Sequence, residues 1–200
     1  MFRLAKPAVP IIALTLLAAM LSAFVQPVWW IPLLAVPGYW IVALLPCKGS
    51  AVPCDVDYED LCGLFGMIEV PVYEGFPARC NGITPRTMHI IFPFCKIEFR
   101  LIKPVLAHEL SHLYYNHPFT NVFYFTLCCI GSACCLYYNL VVATIFAVGI
   151  IPFTIWKTMQ MEITADRLAD SFSDMRALLK THPDDSIRKM RLAALDGKRS

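Results

Sequence analysis

The chain has 200 residues, enough for one domain or for a small domain with membrane segments. Hydrophobic residues make up 58% and charged residues only 16%, which excludes an ordinary water-soluble domain and points to a membrane protein. The formal charge of +2, with no run of Lys and Arg, gives no phosphate-binding stripe and argues against a nucleic-acid partner.

In chain order, residues 1–45 read as an N-terminal transmembrane hairpin. A short basic start with Arg3 and Lys6 precedes an apolar stretch over 8–26, and a second apolar stretch follows at 28–45. A cleaved signal peptide, with Ala23 at the cleavage site, competes for the first stretch. The immediate second stretch favours two spans with a turn near Pro27. Pro32, Pro37 and Gly38 interrupt the second stretch, which a spanning helix tolerates when its neighbours satisfy the freed backbone groups. Trp29, Trp30, Tyr39 and Trp40 suit positions near membrane interfaces.

Residues 46–118 are mixed and charged, the first part of a small water-exposed domain. Strands are expected over 68–73 and 87–92, with Asn81-Gly82 as a turn between them. Pro71 marks the first strand as an edge. That strand is either half of a structural hairpin or an edge to which an extended peptide adds. A helix is expected from Pro104, a residue suited to a first helical position, and Pro118 closes it. Residues 119–156 carry no charge and fit two spans of about 18 residues, turning at Tyr137-Tyr138-Asn139. Residues 157–200 form the second part of the polar domain. Its helix is expected to run through Leu179 and break at His182-Pro183, with Asp184 capping a last helix that ends at Asp196-Gly197. The expected fold class is a mainly α membrane protein: four transmembrane helices in two hairpins, plus a small α+β domain with a short edge-strand hairpin.

All seventeen Lys and Arg and all fifteen Asp and Glu lie in the N-terminal tip, in 46–118, or from Lys157 onward. Two hairpins place every charged region on one side of a plasma or inner membrane, and the positive-inside rule makes that side cytoplasmic. Nine cysteines give no disulfide framework. Cys128, Cys129, Cys134 and Cys135 fall in the apolar stretch as small hydrophobes. The odd remainder (Cys47, Cys54, Cys62, Cys80, Cys95) forms no C-x-x-C pair.

The chemistry concentrates at His108-Glu109-Leu110-Ser111-His112, the pattern H-E-x-x-H. On a helix, positions i and i+4 share a face, so His108 and His112 can present two imidazole nitrogens to one metal ion. Glu109 sits where it can take a proton from an attacking water without ligating the metal. Catalytic zinc needs three protein ligands and an open position. A histidine six residues after the second ligand is excluded, because that position is Pro118. Glu162 on a later helix is the best third ligand. Asp166, one turn further on, can accept a hydrogen bond from a ligand imidazole.

Three motifs in order, His108-Glu109-x-x-His112-x-x-x-x-His117, Glu162-x-x-Ala165-Asp166 and Thr181-His182-Pro183 with Arg188, resemble the integral-membrane zinc metallopeptidases of the HtpX, Oma and CAAX prenyl protease family. The order of spans and motifs looks most like HtpX, over most of a shorter chain. The resemblance implies one zinc held by His108, His112 and Glu162, Glu109 as general base, Asp166 behind a ligand, and His182 and Arg188 approaching substrate or oxyanion. It implies a substrate strand near Asn81, where Gly82 departs from the family's alanine. His117 is taken as structural. A peptide or membrane-protein substrate and the lipid bilayer are the partners implied. The rival readings are a membrane adaptor whose zinc is closed off by a fourth ligand, His117 or His89, and a signalling membrane metallopeptidase.

Overall fold

The computed structural model describes residues 31–45, 50–52, 58–67 and 70–197. The expected span at 8–26, its turn near Pro27, and Cys47 and Cys54 lie outside them. Within that range the protein is mainly helical, with one small three-stranded sheet. The backbone divides into two units, one of 31–43 with Phe119–Met159 and one of 44–118 with 160–197.

The first unit contains α1 (Ile31–Leu44), α4 (His117–Tyr138) from Phe119 onward, and most of α5 (Leu140–Ala169). The expected turn at Asn139 is present: its side-chain oxygen accepts the Val141 N–H at 2.7 Å and starts α5. α4 and α5 run antiparallel. Lys157 Nζ donates to the Thr120 carbonyl at 3.3 Å, and the Tyr124 and Thr154 hydroxyls meet at 2.9 Å. Nearer the turn, Gly131 leaves room for the Phe146 ring, which a Cβ would approach to 2.7 Å. α1 joins through Tyr39 stacked on Phe125 at 4.4 Å and a 2.9 Å bond from the Trp40 indole to Thr126. α4 and the stretch Val141–Ala169 are long and apolar enough to cross a membrane; the described part of α1 is shorter. Phe125, Cys128 and Cys129 pack in this core, whereas Cys134 is exposed and Cys135 half-buried, so the four cysteines do not behave alike.

The second unit is built on α3 (Phe99–Tyr114), which carries H-E-x-x-H. Its start departs from expectation: α3 begins five residues before Pro104, after Glu98 in an extended conformation. Pro104 therefore lies inside the helix, where its missing N–H leaves one rung of the ladder unmade. At the other end, Asn116 takes a left-handed φ of 54° and reverses the chain, and Pro118 falls in the first turn of α4, not beyond a helix.

The sheet also departs from expectation. β1 (Val72–Glu74) and β3 (His89–Phe92) are the two foreseen strands, but they pair in parallel and form no hairpin. The antiparallel partner of β3 is a third strand, β2 (Arg79–Asn81), giving the order β1-β3-β2. The Asn81-Gly82 turn holds because Gly82 has φ 92°, and a Cβ there would lie 2.1 Å from the Thr87 carbonyl oxygen. α2 (Tyr58–Leu64), α3 and the inner sheet face enclose one core of Leu61, Cys62, Val72, Ile90, Phe92, Leu106 and Leu110.

The C-terminal helix is broken earlier than expected. α5 stops at Ala169 and α6 (Met175–Lys180) starts afresh, with the Asp174 carboxylate accepting the Ala177 N–H at 3.0 Å. The Ser and Asp side chains of 170–174 offer the backbone local partners that compete with helix. α7 (Asp185–Asp196) is capped by Asp184 as foreseen.

Candidate metal centre

α3 and the last turns of α5 bring His108, His112 and Glu162 together. One donor atom from each lies within 4.8 Å of the others. The two histidine Nε2 atoms are 3.1 Å apart. The carboxylate of Glu162 faces both, with Oε2 3.3 Å from His108 Nε2 and Oε1 3.6 Å from His112 Nε2. Both imidazoles are buried, and Glu162 keeps partial access to solvent. The helical spacing of four residues aligns His108 with His112 on α3, and Glu162 with Asp166 on α5.

Asp166 is fully buried, with Oδ1 2.9 Å from His108 Nδ1. The two form a buried ion pair. Asp166 is also held by a residue that lies outside the three motifs. Arg191 of α7 grips Asp166 with two prongs, Nε to Oδ2 at 2.6 Å and Nη2 to Oδ1 at 2.5 Å, and its Nη1 reaches Glu162 Oε2 at 3.1 Å. His182 and Arg188 are not drawn to the triad. The His182 ring accepts the Asp184 N–H at 3.1 Å, and Arg188 pairs with Asp185 and donates to the His182 carbonyl. The guanidinium that contacts both Glu162 and Asp166 is that of Arg191. Its signal was periodicity: Arg191 stands four residues before Leu195, on the buried face of an amphipathic helix.

Glu109 is buried beside β2, where both the backbone N–H and the thiol of Cys80 donate to its carboxylate. Burial raises its pKa, and the nearby His108 pulls it part of the way back. For His108, burial favours the neutral form, but the Asp166 and Glu162 carboxylates outweigh it and hold the pKa up at about 10. His112 goes the other way, to about 3, because burial dominates and the charges of its neighbours do not compensate. In the metal-free protein one proton on His108 therefore sits between the two Nε2 atoms and Glu162.

The donor set fits a small four-coordinate cation. Bonds of about 2.0–2.1 Å at tetrahedral angles place two ligand atoms about 3.3 Å apart, close to the spacings seen here. The charge fits too. With both imidazoles neutral, Glu109, Glu162 and Asp166 against Arg191 leave two negative charges, which one divalent ion neutralises. Among the described residues this cluster has three donors. His89 binds the Thr87 carbonyl through Nδ1, and His117 faces the far side of His112.

No protein-family model, curated protein or solved structure matches the chain. What the centre can do follows from its own chemistry.

Proposed function

We propose that the protein is a membrane-embedded zinc metalloendopeptidase, of the kind whose motifs it resembles, acting on membrane proteins in quality control or processing. The observation that carries this reading is the meeting of three donors, two imidazoles and a carboxylate, beside the buried carboxyl of Glu109, which is not one of them. Three protein ligands with a position left open is the catalytic arrangement for zinc, whereas a structural site is closed by four. That favours the enzyme over an adaptor.

Zinc held by His108, His112 and Glu162 would polarise a scissile carbonyl and lower the pKa of water toward neutrality. Glu109 supplies the base: it receives the attacking water's proton and returns it to the leaving amine. Its raised pKa brings it nearer the operating pH, where such a transfer is efficient. Asp166 steadies His108 from behind, and Arg191 holds both carboxylates in place. β2 is an edge strand that packs against α3 and touches Glu109, so an extended peptide added along it would lie beside the base.

In this reading α4 and α5 form a transmembrane hairpin, a second hairpin precedes them, and the zinc side faces the cytoplasm. Glu109→Gln tests the enzyme directly. The variant keeps its zinc and loses peptide hydrolysis by about 10²–10⁴-fold, the range of a positioned general base. Hydrolysis at the native rate would reject the assignment.

A further inference from the structure

His117 lies outside the triad yet touches it. The left-handed turn at Asn116 brings its ring back beneath α3, so that His117 Nδ1 stands 2.7 Å from His112 Nδ1. Both rings are 8% exposed. The Tyr115 ring stacks on His117 at 5.6 Å with 20° between planes, which restricts its rotation. Two ring nitrogens at 2.7 Å share a proton, since two bare lone pairs would repel.

The direction of that hydrogen bond is fixed by what His112 does on its other side. To ligate a metal through Nε2 it must present a lone pair there, so its single proton sits on Nδ1. His117 Nδ1 is then the acceptor. The geometry points to His117 as the positioning residue for His112: it holds the ring in the tautomer and orientation in which Nε2 faces the metal. Asp166 stands in the corresponding place behind His108, so each histidine ligand has its own support. An imidazole acceptor leaves His112 a neutral ligand, and a second buried carboxylate there would add charge to a centre that already balances a divalent ion. The inference rests on the triad being a metal site, but not on any activity.

The experiment uses the full chain in lipid nanodiscs, with zinc affinity measured by chelator competition on His117→Asn, His117→Gln and His117→Leu. Asparagine keeps an acceptor oxygen where Nδ1 stood; glutamine moves it outward, and leucine removes it. Loss of a supporting partner behind a ligand lowers affinity about 10–100-fold, so Gln and Leu fall by that factor and Asn stays within about threefold. Nitrogen-15 spectra of histidine-labelled wild type show the His112 proton on Nδ1. If Leu fails to fold, the Asn and Gln pair decides. Native zinc affinity in the Gln or Leu variant overturns the inference and leaves the metal triad standing. Equal weakening in all three variants, with the His112 tautomer unchanged, also overturns it, because His117 would then be packing alone. A wild type that binds no zinc, or binds it equally well as His112→Ala, rejects the triad and this inference together.

Discussion

Zinc binding should be coupled to one proton over an unusually wide pH range. At neutral pH the metal-free centre holds one proton on His108, whose pKa is raised to about 10, while His112, lowered to about 3, is already neutral. Zinc must expel that single proton, and acid therefore competes with metal. From about pH 5 to 8 His108 adds about one per pH unit to the logarithm of the apparent affinity, to which a zinc-bound water adds near and above pH 7, and at pH 7 displacing the His108 proton costs about 4 kcal/mol, about three units at 1.36 each. Two ordinary imidazoles with pKa near 6.5 would behave differently. Their slope approaches two below about pH 6 and vanishes above about pH 7.5. Calorimetry at pH 6 in buffers of different ionisation enthalpy counts the protons directly, below the range where zinc ionises its water. Release of about one proton at both pH 5 and pH 6 fits this electrostatic account. Release of nearly two at pH 5 would refute it.

Arg191→Met strips the buried Asp166 of its guanidinium and leaves it only His108, so thermal or denaturant unfolding should show a loss of up to about 3–5 kcal/mol. Little change would mean that the guanidinium is not seated between the two acids. Arg188→Ala removes only a solvent-exposed pair with Asp185 and should leave both stability and zinc affinity close to native. A large drop in zinc affinity would contradict the pairing of Arg188 with Asp185 and His182. Gly82→Ala places a Cβ against the Thr87 carbonyl at positive φ and should destabilise by at least about 1–3 kcal/mol in the same unfolding assay; a neutral result would contradict the described β2–β3 turn.

The parts of this fold that were legible in the sequence are those set by spacing along one element. His108 with His112, and Glu162 with Asp166, each sit four apart on a helix, and their faces follow from that alone. The turn at Asn139 and the cap at Asp184 were likewise local signals. Less legible were contacts made across the chain. β2 is three residues long, too short to show a period. Its neighbour β3 pairs in parallel with β1, Val72 against Ile90, across a connection that contains β2 itself. Arg191 could be reached only by reading the buried face of α7. Pro104 misled the start of α3, because the packing of Leu101 and Ile102 into the core sustains a turn that proline alone would disfavour.

X-ray absorption at the zinc edge on the purified full chain bears most directly on the central claim. One zinc per chain, bound by two imidazole nitrogens and a carboxylate oxygen with a remaining light-atom position, and lost in Glu162→Ala, is the predicted result. Zinc coordinated by cysteine sulfur, or by a shell unchanged in Glu162→Ala, would contradict the convergence of 108, 112 and 162 on one ion.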